Sequence, residues 1–251
     1  MNTPQIISAV VAVIGVALGG FALWAQRKYE AMRAAKTLNI ADLTAMPPGS
    51  GPACEIKGVA EPGPAGQLQG PMSGRVCVWF HTKTEERWRE YHHDSNGRSR
   101  TSTHRRTLQE NGSPPAFHVR DQTGVALLDF RGTSVDSPVQ SFRRAVPAEQ
   151  RGGFAGLAIE FLSNKRDHEI IYTEVLVAPG QPIYALGKGM PHPQTGSPVM
   201  AKPDDGPFIV STRSEEQLSK GAVARMRVGY IGGGVLFVGG AVALVVTSLV
   251  I

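Results

Sequence analysis

Residues 1–26 carry no charged side chain and neither do residues 228–251, so all 26 Lys and Arg and all 21 Asp and Glu lie between them. Charge confined to the middle of a chain limits what the two ends can do. From Ile6 to Ala25 there are twenty residues without a charge, Pro, Asn or Gln. At helical rise they reach about 30 Å, the hydrocarbon thickness of a bilayer. Trp24 stands near the far end, where an interfacial aromatic belongs. Val228 to Ile251 forms a second uncharged stretch with Tyr230 near its start. A cleaved signal peptide fits poorly, because residues 1–5 hold no Lys or Arg and no A-x-A cleavage site precedes the basic cluster. A buried core helix with no polar face would be unusual for the second stretch. Two membrane spans are expected.

The flanking charge gives an orientation. Arg27, Lys28, Arg33 and Lys36 follow the first span, and Lys220, Arg225 and Arg227 precede the second. The positive-inside rule places residues 27–227 in the cytoplasm of a cell-membrane protein, with both termini outside. Two cysteines without an obvious pairing fit a reducing compartment. Both spans carry small-residue spacing, Gly15-x-x-x-Gly19 and Gly229-x-x-x-Gly233. Glycines at this spacing let helix backbones approach closely where lipid supplies no hydrophobic drive. The spacing predicts helix packing, either as a hairpin within the chain or across subunits of a homo-oligomer.

Four segments follow. Residues 1–26 form the first transmembrane helix and residues 27–46 a juxtamembrane helix, stopped by Pro47-Pro48-Gly49. Residues 47–213 form a β-rich soluble domain, and residues 214–251 a juxtamembrane and second transmembrane helix. Ser214-Glu215-Glu216-Gln217 reads as a capping box that starts this last helix. Within the soluble domain, Cys54–Val59 alternates with period two. Arg75–Tyr91 reads as one long strand, with Cys77, Trp79 and His81 on one face. Phe117–Phe130 reads as a hairpin around Gln122-Thr123-Gly124, and Glu169–Val177 with Pro182–Leu186 as another turned at Pro179-Gly180. Phe208–Val210 is a short last strand, and Phe154–Leu162 the one internal helix. The fold class expected is α+β: a mainly antiparallel β barrel or sandwich flanked by two transmembrane helices.

His92–Ser113 is polar and turn-rich around Asn96-Gly97, and reads as a hairpin tip or mobile loop. It gathers Arg98, Arg100, Arg105 and Arg106, a patch for anions or lipid headgroups. The chain has no C-x-x-C, H-E-x-x-H, phosphate-loop or G-x-S-x-G motif. Its seven His are scattered, and only His92-His93-Asp94 hints at a metal. Cys77 and His81 on one strand would stand about 13 Å apart, too far for a nucleophile–base pair. No catalytic, cofactor or metal residue is therefore assigned. The net charge of +5 implies no nucleic-acid partner. The expected partners are the bilayer and a protein of unknown identity.

Gly58-Val59-Ala60-Glu61-Pro62 followed by Gly70-Pro71-Met72-Ser73-Gly74-Arg75-Val76-Cys77-Val78-Trp79-Phe80 resembles the opening of the GIDE, or BAM ("beside a membrane"), domain family. Glu174–Gly180 with Ile183–Gly187 resembles its second signature. Pro207–Ser211, Ser214–Glu216 and the second span follow in the same order, so the resemblance covers roughly residues 42–250. It implies a membrane E3 ubiquitin ligase family, in which this domain sits between two membrane helices and a RING follows the second. A RING takes about eight Cys/His zinc ligands, four to each tetrahedral site. The chain carries two Cys and runs to Ile251, so the resemblance does not carry over the ligase activity. Ubiquitin transfer would need a RING from a separate partner.

Overall fold

In the computed structural model, residues 3–47, 51–93, 99–148 and 165–249 are described. The expected helix Phe154–Leu162 lies outside them. Helix α1 spans Thr3–Ala34 and helix α3 spans Glu215–Leu249, with the short α2 at Ile40–Thr44. By length and composition, one helix among the described residues could cross a membrane, over Ala9–Ala34, and only 17% of its apolar window is buried. Val13, Val16, Val228, Ile231 and Val235 on α1 and α3 are each more than 60% exposed. Runs of apolar side chains facing outward need a non-aqueous or protein partner.

The juxtamembrane stretch is not one helix over residues 27–46. Helix α1 ends at Ala34, and Lys36–Thr37 becomes strand β1, parallel to Cys54–Glu55 of β2 (Ala53–Glu61). The Leu38 amide donates to the Glu55 carbonyl at 3.0 Å, so a distant strand captures amides that would otherwise continue the helix. Helix α2 then restarts after Asn39, whose amide donates to Asp42.

Five strands close a barrel. β2 pairs with β7 (Ala116–Arg120), β7 with β8 (Val125–Asp129), β8 in parallel with β13 (Pro198–Ala201), β13 with β12 (Pro182–Pro191), and β12 back with β2. β14 (Ile209–Ser211) pairs with β12, and β9 (Val135–Asp136) pairs with β14. Period-two residues Cys54, Ile56 and Ala60 of β2 point into a core shared with Phe117, Val119, Leu128, Phe130 and Met200. Ile40 and Leu43 of α2 join that core. The Asp121–Gly124 turn holds α2 in place: the Ile40 amide donates to Asp121 Oδ2 at 2.8 Å and the Ala41 amide to Thr123 Oγ1 at 3.0 Å.

A second sheet runs in the order β10 (Val139–Pro147), β11 (Lys165–Val177), β5 (Trp79–His93), β6 (Ser99–Gly112). Arg75–Tyr91 is therefore not one strand. Val76–Cys77 (β4) pairs with Leu68–Gln69 (β3), and the chain breaks at Val78, whose amide donates to the Val177 carbonyl at 2.9 Å. The expected pairing of residues 169–177 with 182–186 also fails. The turn is present, with Gly180 at φ +77°, but β11 joins the four-stranded sheet and β12 the barrel. The Gly180 amide donates to the Ala60 carbonyl at 2.8 Å, and Pro182 has no N–H with which to continue a ladder back to β11. Residues 99–112 likewise belong to a strand rather than a mobile loop, in register with β5 from His81↔Gly112 to His93↔Ser99.

Candidate functional site

Two buried carboxylates organise the molecule. Glu55 lies on β2 with its side chain on the outside of the barrel, yet it is only 2% exposed. The Tyr184 hydroxyl donates to Glu55 Oε2 at 2.8 Å, and the Thr37 hydroxyl donates to Oε1. Lys57 Nζ bridges Glu55 at 3.1 Å and Glu215, in the first turn of α3, at 2.8 Å. Burial, reinforced by the bond to Glu55, pushes the Tyr184 phenol well above its usual range, which keeps it a donor. Beside this network Met32 of α1, Leu218 of α3, Tyr184 and Leu186 of β12 and Ile209 of β14 form a second apolar cluster. Lys57, Tyr184, Arg213, Ser214 and Glu215 line a cleft of about 370 Å³. Ser214 and Gln217 form the reciprocal cap of α3, with both bonds at 3.3 Å. Charge, hydrogen bonds and packing thus fix the barrel against both long helices. Tyr184→Phe strands one oxygen of a buried carboxylate and is expected to cost ~1–3 kcal/mol in urea unfolding.

The second carboxylate, Glu174 of β11, is fully buried. The Met72 amide donates to its Oε2 at 2.7 Å, the Ser141 hydroxyl to its Oε1 at 2.5 Å, and the Ser73 hydroxyl also to Oε1. Burial pushes the carboxyl up, but the hydroxyls of Ser141 and Ser73 and the amides of Met72 and Ser73 outweigh it, holding Glu174 below the usual carboxylate range. The segment Gly70–Gly74 wraps the carboxylate so closely that a Cβ on Gly70 would sit 2.6 Å from Glu174 Oε1. This clasp joins the β3–β4 hairpin to β10 and β11.

Between the barrel and the four-stranded sheet lies a cavity of about 510 Å³, with Trp79, Phe130, Val135 and Val175 on its apolar walls. The Trp79 and His81 rings stack at 6.2 Å, and His81 Nε2 lies 3.0 Å from Glu110 Oε1.

The chain matches the sequence profile of the GIDE family, described as an E3 ubiquitin ligase, over residues 87–246, well over half its length. The chain belongs to the GIDE family. The match in this GIDE protein begins inside β5, a narrower span than the resemblance implied. It contains Glu174 and the 174–187 signature, while Gly58–Phe80 lies ahead of it. No curated protein and no solved structure matches the chain.

The expected arginine patch is divided. Arg98 lies outside the described residues. Arg100 and Arg106 fall on one face of β6 and Arg105 on the other, opposite Arg87. Arg106 is engaged with Glu86 at 2.7 Å. The glycines Gly15, Gly229 and Gly233 lie where α1 meets α3. A Cβ on Gly15 would be 2.6 Å from Phe237 N, one on Gly229 2.6 Å from Ala22 Cβ, and one on Gly233 3.0 Å from Gly19 N, whereas a Cβ on Gly19 would meet nothing. The order of these contacts makes α1 and α3 antiparallel. The His92-His93-Asp94 triplet falls outside the described side chains.

Among the described residues no group of three His, Cys, Asp or Glu could hold a metal ion. Sequence reasoning missed both Glu55 and Glu174 as organisers. The signal that could have found Glu174 is a carboxylate in step with the buried Ile170 and Leu176 of β11, whereas Glu55 stands at a polar position of the β2 alternation and gave none. Cys54 and Cys77 are both buried and free. Burial pushes both thiols up, Glu55 and Glu174 add to it, and only a bond to the Gly189 backbone opposes it at Cys54. Neither is expected to react with a disulfide reagent at neutral pH until denaturant is added. Rapid labelling of the native protein would show that the two sites open.

Proposed function

We propose that this GIDE-family chain is a two-pass membrane protein that presents its barrel and sheet beside the bilayer as a non-catalytic interaction module. α1 and α3 would cross as a hairpin, with residues 27–227 in the cytoplasm and both termini outside. The single observation that carries the reading is the Glu55–Tyr184–Lys57–Glu215 network, which ties the barrel to the first turn of α3, with Met32 of α1 packed against Tyr184 beside it. The buried, raised thiols support a role without a cysteine-borne ubiquitin intermediate. The test is topology together with partner capture. Thr103→Cys, on the exposed face of β6, should react with a membrane-impermeant reagent only after permeabilisation. Cross-linking in native membranes should recover a protein partner. A purified chain that stays monodisperse in buffer without detergent would sink the spanning reading.

A second reading follows from the family's description as an E3 ubiquitin ligase. The 251 residues hold two cysteines, too few for a RING's paired zinc sites. In this reading a separate partner supplies the RING that transfer needs. Adding the membrane-reconstituted protein to activating enzyme, conjugating enzyme and a RING protein should then raise transfer, and an unchanged rate rejects the reading.

A further inference from the structure

We propose that the cavity between the barrel and the four-stranded sheet binds a small organic cation, an ammonium ion carried on a flat apolar body. The inference stands apart from the membrane-spanning reading, because neither long helix contributes to the described lining. The volume of about 510 Å³ is that of a ligand site, and such sites favour the seam between two packed bodies. Trp79 and Val175 of the sheet face Phe130 and Val135 of the barrel side across it. The fixed charge at its rim is negative: among the described lining residues Glu110 is the one acid, and none is Lys or Arg. His81 of β5 lies opposite Gly112 of β6, and Glu110 stands two residues before Gly112 on the same face. His81 Nε2 reaches Glu110 Oε1 at 3.0 Å, while the Glu110 side chain stays 55% exposed. The neighbouring cations are engaged elsewhere. Lys83, opposite Glu110 in register, pairs with Glu85 at 2.9 Å, and Arg131 pairs with Asp129 at 2.6 Å. An ammonium at Glu110 with a flat body along Trp79 satisfies both the charge and the apolar wall, and the indole ring attracts the cation further. An anion would meet the Glu110 charge instead.

The backbone around the cavity is held in a strained form. Ser137 is the one non-glycine among the described residues with a positive φ, at 57°, and it adjoins Pro138 on the cavity wall. A left-handed serine persists only where its surroundings enforce it, and such residues cluster at ligand clamps. Thr212, just after β14, enforces this one: its amide donates to the Asp136 carbonyl at 3.2 Å and its hydroxyl to the Ser137 carbonyl. At the other rim a Cβ on Gly112 would sit 3.4 Å from His81 Cδ2, so glycine there keeps the His81 ring clear. A site whose rims are fixed in advance binds with a smaller ordering cost.

The test uses the full-length protein in detergent, titrated calorimetrically against a matched micelle blank. Three probes of similar shape are compared at neutral pH: 2-phenylethylamine as the cation, 2-phenylethanol as the neutral form and phenylacetate as the anion. The amine should bind about tenfold more tightly than the alcohol, and phenylacetate should not bind. Glu110→Gln should weaken the amine about tenfold and leave the alcohol unchanged. Ser134→Trp, at an exposed wall position, should fill the space and abolish binding of both. Arg105→Gln, on β6 but away from the cavity, should bind like the parent. Thermal unfolding like the parent's shows that each variant is folded, and Glu110→Gln alone decides the case if Ser134→Trp is not. Failure of the amine to bind at millimolar concentration, equal affinity for all three probes, or an amine affinity that Glu110→Gln leaves intact each overturns the site. Tighter binding of Nα-acetyl-lysine amide than of 2-phenylethylamine overturns the flat apolar body and assigns the cavity to a lysine side chain of a protein partner. None of these results bears on whether α1 and α3 cross a bilayer.

Discussion

Glu174→Ala is expected to lower folding stability by ~3–5 kcal/mol, among the largest effects of any single substitution here. The carboxylate is fully buried and takes hydrogen bonds from the Met72 amide and from the Ser73 and Ser141 hydroxyls. Removing it strands several donors out of water and frees the Gly70–Gly74 segment from β11. Urea unfolding in detergent, followed by tryptophan fluorescence, measures the loss, and a change under 1 kcal/mol would mean the clasp is incidental. The same group sets a pH dependence. Its folded pKa is depressed, so its contribution is present above the unfolded carboxylate value of about 4.3 and fades as pH falls through the lower folded value. The parent should lose stability across that acid window, and Glu174→Gln should flatten this part of the profile while lying lower at neutral pH.

Gly15→Leu is expected to separate α1 from α3, whereas Gly19→Leu, one turn away, should be tolerated. At Gly15 the atoms a side chain would strike are Phe237 N, Phe237 Cα and the Gly233 carbonyl, all within 2.9 Å and all backbone. No rotamer change can relieve a clash with backbone, so the helices must move apart and lose close packing. At Gly19 a Cβ meets nothing within 4 Å. Thermal unfolding in detergent should show a large drop for Gly15→Leu and little change for Gly19→Leu. Equal behaviour of the two variants would contradict the antiparallel contact. Composition alone cannot separate these glycines, which belong to the same G-x-x-x-G.

Where neighbours in sequence are also neighbours in space, the residues foretold the structure well. The Asp121–Gly124 turn, the alternation of β2 and the Ser214 cap each depend on contacts within a few residues. The misreadings share one cause. Residues 36–37 leave the helix because a strand eighteen positions later pairs with them. The 169–186 segment does not fold back on itself because its two strands are claimed by different sheets. β6 looked like loop because it is polar on both faces, as an exposed outer strand can be. The candidate site suffered most: Glu55 reads as an outward polar residue on an alternating strand, and only β1, β12 and α3 converging on it make it a buried hub.

The sequence by itself determined that both ends are apolar, uncharged and about one bilayer long, that a β-rich middle carries the charge, and that its signatures place it in the GIDE family. Those properties reside in residue type and local order. Only the tertiary structure decided that five strands close into a barrel, that two carboxylates hold its parts together, and which glycines of the paired helices touch. Many of these features join residues far apart in the chain, such as Glu55 with Tyr184 and Gly15 with Phe237, and burial and partner geometry at that range are set by packing, which local pattern does not encode.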